Sequence, residues 1–237
     1  VCPHRDSVLA AGRCVPGDIC LLAHSGRQID RFLRRNPEFA ESCLDDVFWE
    51  RRAIAVRYAP ITCISRMARD ADEVVRRAVA IRLPVEELTA LCQDPDREVR
   101  ITVAARMPAD QLVGMMNDSD YLVRQHVAER VPHGRLPRMI DDPDREVRKA
   151  VARRLPAFAL KRMVSDAEDE VRRIVASRAL PEDAASLLND PNWLVRLEAA
   201  RRAPVESITL LIDDVEPDVQ ALVRARLENF LKQDEVQ

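Results

Sequence analysis

A 24-residue motif recurs along most of this chain and restricts it to one kind of architecture. One copy, residues 84–107, reads PVEELTALCQDPDREVRITVAARM. Pro60, Pro84, Pro108, Pro132 and Pro156 stand 24 residues apart; the next unit runs 25 residues to Pro181, the next 23 to Pro204, and the last ends near Leu227. A period of about 20–50 residues marks a stacked array in which each unit buries its apolar face against its neighbours. Residues 37–59 align without gaps against 181–203, with Trp49 on Trp193, Asp46 on Asp190 and Arg52 on Arg196, and form an eighth, degenerate unit. It departs at Arg51, where the others carry Val, and at Tyr58, where they carry Arg. Gln220 and Arg224 depart similarly in the last unit. Terminal repeats are atypical because one face lacks a repeat neighbour, and the polar tail 228–237 is expected to close the stack.

Counted from its proline, or from the residue before it in the 23-residue units at Pro37 and Pro181, a unit carries apolar residues at positions 5, 8 and 9, as in Leu112, Met115 and Met116, and again at 16, 20 and 24, as in Val99, Val103 and Met107. Both sets follow helical spacing. Asp70, Asp94, Asp118, Asp142, Asp166, Asp190 and Asp214 share position 11, often followed by proline, as at Pro95, Pro143 and Pro191. An aspartate before proline is expected to cap the longer helix at its N-terminus. That helix ends before the next unit's proline, which cannot continue it. About 12 residues for this helix leave roughly 8 for the first element, too few for a helix pair of the ~40-residue HEAT type. A tight 3₁₀ segment would cover the distance with fewer residues.

Composition fits a soluble helical protein: 47% apolar, 32% charged, five glycines and few aromatics. The net charge of −3 gives no general attraction to nucleic acid or anionic membrane. No apolar run approaches the ~18 residues of a membrane span. A chain opening at Val1 is expected to continue upstream, and its first residues are not a signal peptide.

The succession P-x-x-x-L-x-x-L-x-x-D-x-x-x-x-V-R-x-x-V-A-x-R-L resembles the leucine-rich repeat variant family, and seven units share it. The resemblance implies an all-α fold: a right-handed superhelical solenoid of about eight 24-residue repeats alternating α and 3₁₀ helices, without strands. The expected organisation is a cysteine-rich segment 1–36, the repeat solenoid 37–227 and the polar tail 228–237.

Two rows of arginine accompany the repeats. Position 17 holds Arg76, Arg100, Arg124, Arg148, Arg172 and Arg196; position 23 holds Arg82, Arg106, Arg130, Arg154, Arg178 and Arg202. The position-17 guanidinium can reach the position-11 aspartate of its own or the next unit, a structural use. The other reading is a phosphate-binding stripe. Acidic net charge and the lack of aromatic stacking platforms favour the structural one.

Six cysteines are distributed unevenly: Cys2, Cys14, Cys20, Cys43, Cys63 and Cys92. Cys92 takes apolar position 9 and reads as a core residue; Cys63, at position 4, reads as a surface or edge thiol. Cys43 takes position 8 of the first unit, where others place Leu or Met. It is either a buried thiol or a fourth ligand beside Cys2, Cys14 and Cys20, in the spacing C-x11-C-x5-C-x22-C. Four soft ligands point to metal rather than disulfides. The paired hooks of structural zinc are missing and so is a ferredoxin pattern, so spacing leaves zinc and iron–sulfur both open. Here the motifs CPHR, CVPGDIC and GRQIDRFLRRNP resemble the N-terminal segment of proteins that carry a [4Fe–4S] cluster ahead of such repeats. The resemblance implies a [4Fe–4S] cluster on Cys2, Cys14 and Cys20, with Cys43 completing the set; His4 or a cysteine upstream of Val1 is the alternative. Arg5, Arg13 and Arg27 could offset the charge of thiolate ligands. His24, His126 and His133 form no spaced pair.

No catalytic constellation is present: no radical-type cysteine motif, no phosphate-cradling glycine loop, no nucleophile with a spaced base. The expected function is a cytoplasmic iron–sulfur-binding repeat scaffold, not an enzyme, that engages a protein partner and no membrane, with a structural or redox-sensing cluster. An electron-transfer auxiliary of an iron–sulfur enzyme and a nucleic-acid-binding solenoid are the alternatives.

Overall fold

In the computed structural model, which describes residues 2–234, the chain divides into two compact units, Val1–Gln111 and Leu112–Gln237. The first opens with a π turn at Arg5–Leu9, then helix α1 (Gly26–Arg35), 3₁₀ turns at Pro37–Phe39 and Glu41–Cys43, and α2 (Trp49–Tyr58). One α turn at Ile61–Ile64 runs into a 3₁₀ segment at Ser65–Arg69, followed by α3 (Glu73–Arg82), a 3₁₀ helix at Val85–Leu91 and α4 (Arg97–Arg106). The second unit alternates in the same way. Helices α5 (Tyr121–Arg130), α6 (Arg145–Arg154), α7 (Asp169–Arg178) and α8 (Trp193–Arg202) are separated by His133–Met139, Ala157–Met163 and Pro181–Ala185. The segments Val205–Ile208 and Thr209–Leu211 then lead to α9 (Pro217–Asp234). Among the described residues there is no strand, only an isolated bridge between Val15 and Ile19. The all-helical expectation holds.

Each repeat uses two periods. In the α-helices the fully buried pairs Val75/Val79, Val99/Val103, Val147/Val151 and Val171/Val175 lie four apart, one face of a 3.6-residue helix. Such a valine contributes about 1.5–3 kcal/mol by its burial. In the short elements the buried pairs Leu88/Leu91, Leu136/Met139 and Leu160/Met163 lie three apart. At three residues per turn side chains spaced by three eclipse, so a 3₁₀ helix puts both on the core face, and this burial sustains runs of seven residues that are otherwise uncommon. Three of the short elements contain one turn of α-helix instead, at Ile61–Ile64, Pro181–Ala185 and Val205–Ile208. The longer helices stop where the residue before proline turns extended: Leu83 has ψ 145°, Met107 143° and Leu155 140°.

Helix starts differ from the expectation. The cap is not the position-11 aspartate but the residue two places on. Asp72 accepts from Val74 N–H, Asp96 from Glu98 and Val99, Asp120 from Leu122, Asp144 from Glu146, and Asn192 from Leu194. The prolines Pro95, Pro143 and Pro191 therefore sit in the turn ahead of the helix, not inside its first turn. The position-11 carboxylate instead accepts the amide of the capping residue, as Asp70 does from Asp72 and Asp142 from Asp144, each at 2.9 Å. Its remaining capacity goes to the position-17 arginine of the preceding repeat. Arg52 grips Asp70, Arg76 grips Asp94, and in the second unit Arg124 grips Asp142, Arg148 Asp166, Arg172 Asp190 and Arg196 Asp214, all bidentate through Nε and Nη2. The same guanidinium donates through Nη1 to the carbonyl of its own unit's aspartate, as Arg124 does to Asp118 O at 2.8 Å.

The position-23 row is also structural. Its guanidinium groups cap the C-terminal carbonyls of the preceding α-helix: Arg82 on Val56 and Ala59, Arg106 on Ala80, Arg154 on Ala128 and Val131, Arg178 on Ala152, Arg202 on Ala179. Four carbonyls at a helix end have no intrahelical partner, and here the next repeat supplies one. Residues 228–234 of the expected tail continue α9, and 235–237 lie outside the described residues.

Candidate metal centre

The segment Cys14-Val-Pro-Gly-Asp-Ile-Cys20 folds as a tight knuckle. Val15 N–H donates to Ile19 O at 2.9 Å, while Asp18 and Ile19 N–H return to Val15 O. Gly17 has φ +82°, the left-handed position that a turn with proline ahead of it assigns to glycine. Closing this turn brings Cys14 and Cys20 to its two feet. Helix α1 holds it from outside: Gln28 Nε2 donates to Gly17 O at 2.5 Å, and Arg31 pairs with Asp18. Asn36, fully buried at the end of α1, donates from Nδ2 to Arg13 O and Phe32 O, which fixes the approach to Cys14.

Burial first, then the nearby Cys20 and Cys2, push the Cys14 thiol up from its ordinary value. Of the four expected cysteines, Cys2 and Cys20 thus lie within electrostatic reach of Cys14. Cys43 lies buried at the end of the Glu41–Cys43 turn. Its thiol is pushed up chiefly by burial and also by Asp46, with Ser42 and Arg51 opposing. Among the described residues no three His, Cys, Asp or Glu side chains converge at metal-binding separation, so the fit to a cluster is a matter of donor chemistry. Three thiols on one short segment, two of which oppose ionisation of the third, suit a cationic partner such as iron bound to thiolates. The donor set fits. His4 packs its ring 5.2 Å from Phe39 edge-on and 6.1 Å from Phe32. Arg13 pairs with Glu38, while Arg27 stands beside Asp30 on the surface of α1. Cys92 sits beside Met107 Sδ at 3.9 Å with its thiol raised by burial, and Cys63 is half-buried.

The first repeat's departures from the consensus are the joint to this segment. Arg51, which takes the place of a buried valine, is 9% exposed. It pairs with Asp46 at 2.5 Å, reaches Ala23 O at 3.5 Å, and lies over the Phe48 ring. Tyr58 donates its hydroxyl to Asp30 on α1 at 2.8 Å. Ile29, Phe32 and Leu33 of α1 are fully buried, as are Ala40 and Leu44 of the repeat. The pinning residues Gln28, Asp30, Arg31 and Asn36 were not singled out from sequence, and their spacing carries no periodic signal that would have found them.

Residues 1–42 match the family model described as "LRV protein FeS4 cluster". Residues 74–96 and 145–168 match the leucine rich repeat variant model. A solved structure described as a leucine-rich repeat variant with a novel repetitive protein structural motif is 55% identical, with a TM-score of 0.91 over 95% of this chain and 97% of that one. An uncharacterized 27.7 kDa protein in the nifB 3' region of Rhodobacter capsulatus is 36% identical over 83 residues, 35% of this chain. That match spans 34% of the Rhodobacter protein's length.

Proposed function

The chain belongs to the leucine-rich repeat variant family, its N-terminal region being the family's FeS4 cluster segment, and from that premise we propose that it is an iron–sulfur-binding repeat scaffold that engages a protein partner. In this reading Cys2, Cys14, Cys20 and Cys43 hold a [4Fe–4S] cluster. When bound, the cluster supplies a one-electron centre and a cationic core for the thiolates. The chain's own residues present the thiols through the knuckle, hold the knuckle to α1, and hold α1 to the first repeat through Tyr58 and Arg51. What supports the reading is the match of residues 1–42 to the FeS4 cluster model, with Cys2 and Cys20 near enough to Cys14 to raise its thiol.

The protein carries out no catalysis in this proposal: four cysteine ligands leave no iron open to substrate. Partner binding is favoured over nucleic acid because both arginine rows are committed to carboxylates and carbonyls of the stack. No helix among the described residues is long and apolar enough to cross a membrane. All six cysteines are free of disulfides, which supports placement in the reducing cytoplasm.

Anaerobic purification of the tagged chain from its source cells tests the proposal. A stoichiometric protein retained through a rise in salt is expected. Nucleic acid released steeply by salt, with no protein retained, would overturn it.

A further inference from the structure

The face where α2 meets α3 differs from the face where α6 meets α7 in the second unit. There the exposed face is closed by charge: Lys149 bridges Glu146 at 3.2 Å and Glu170 at 2.6 Å. In the first unit the residue equivalent to Lys149 is Ala53 of α2, and the one equivalent to Glu170 is Val74 of α3. With both charges replaced by small or apolar groups, a cavity of about 480 Å³ opens between the helices, floored by Ala53, Val74, Ala78 and Ile81. Val74 is 40% and Ile81 56% exposed, more apolar surface than a solvated helix face needs. A second cavity of about 340 Å³ shares Ala53, Arg57 and Val74 with the first and extends it past Trp49 to Arg27 and Asp30 of α1. The two form one open groove that begins on the cysteine-bearing segment.

The groove's rim is cationic. Arg27, Arg57, Arg77 and Arg82 line it against two carboxylates, Asp30 and Glu50. Arg82 is held by carbonyls, and among the described residues no carboxylate pairs with it. The pairs Arg57–Asp30 at 3.5 Å and Arg77–Glu98 at 3.7 Å join largely exposed guanidinium groups, and such pairs hold weakly enough to exchange partners.

We propose that this groove docks an acidic amphipathic helix of the protein partner, its apolar side chains on Ala53, Val74 and Ile81 and its carboxylates on Arg57 and Arg77. An open apolar trough between two helices with guanidinium groups along its edges suits a helix whose apolar residues recur at i, i+3, i+4 and i+7, and opposite charge fixes its orientation. The inference deepens the scaffold reading and rests on it.

Two fluorescent synthetic peptides test it against the full cluster-loaded chain by anisotropy: a Leu/Ala/Glu helix with leucine at that spacing, and the same helix with every Glu replaced by Lys. The acidic peptide should bind at least tenfold tighter than the basic one. Ile81→Glu, which puts a carboxylate into the exposed floor, should weaken it tenfold or more with an unchanged melting temperature. Equal binding of the two peptides, no binding of either, or full binding to Ile81→Glu overturns the proposal, as does single-stranded DNA taking the groove in the peptide's place. The scaffold reading is separated by purifying Ile81→Glu from the source cells. A partner retained as well as by the unaltered chain sinks the groove alone, whereas no partner on the unaltered chain sinks the scaffold.

Discussion

Arg124 carries three obligations at once: it grips Asp142 of the following repeat through two bonds of 2.8 and 2.9 Å and closes the carbonyl of Asp118 in its own. Asp142's side chain is only 6% exposed. Removing its partner leaves a buried carboxylate short of donors, which costs more than the pair itself contributes. Arg124→Ala is therefore expected to lower unfolding free energy by about 2–4 kcal/mol in chemical denaturation; a loss within about 0.5 kcal/mol, the range of ordinary surface substitutions, would show the row to be ornamental. The same ladder sets an acid limit. The hydrogen bond from Arg196 holds Asp214 below the usual carboxylate range, against the opposing effect of burial. Its contribution is complete above the unfolded pKa of about 3.9 and is lost as pH falls through the lower folded value. Stability of the unaltered chain relative to Arg196→Ala should stay level from neutral pH to about 5 and shrink below about 4. A difference that persists undiminished to pH 2 would contradict this.

At the scale of the element, a ten-residue α-helix is marginal alone, so each is defined by its ends and its neighbours. Asp144 caps α6 by accepting Glu146 N–H at 2.8 Å. Asp144→Ala should cost about 1 kcal/mol, much less than Arg124→Ala, and a larger loss than that of Arg124→Ala would mean the cap also carries stacking. The sequence showed the period, the helical content and the termination at proline. It misplaced the caps, because Asp-x-Asp offers two candidates and only the three-dimensional arrangement shows that the first is claimed by the preceding repeat. The 3₁₀ segments were legible in principle: Leu88 and Leu91, three apart, match a period of three better than 3.6. The one-turn α starts at Ile61–Ile64 and Val205–Ile208 carry no comparable signal, since apolar spacing alone does not separate one turn of α from one of 3₁₀.

Taken as a whole molecule, the chain is a repeat array whose first member has been altered to receive a different kind of segment. Arg51 and Tyr58 were visible as departures from the repeat, but their partners, Ala23 O and Asp30, lie 28 residues away and no periodic pattern points to them. The cysteines were legible as a group through their clustering, whereas the knuckle at Pro16 and Gly17 was not read from the sequence. Which residue is fourth follows from neither spacing nor local structure. The segment's own core is small, Ile29, Phe32 and Leu33 being its large fully buried residues, so the cluster should contribute to folding as metals do in small domains. Cys14→Ser should lose most of its iron and melt about 5–10 °C below the unaltered chain. The most direct test of a cluster that staples this segment to the first repeat is the iron and acid-labile sulfide content of anaerobically purified Cys43→Ser, read together with its melting temperature. The account predicts that both fall, as they do for Cys14→Ser. Full iron with the brown absorbance of an intact cluster would contradict it, leaving Cys43 a core thiol and the segment held to the repeats by side-chain contacts such as those of Arg51 and Tyr58.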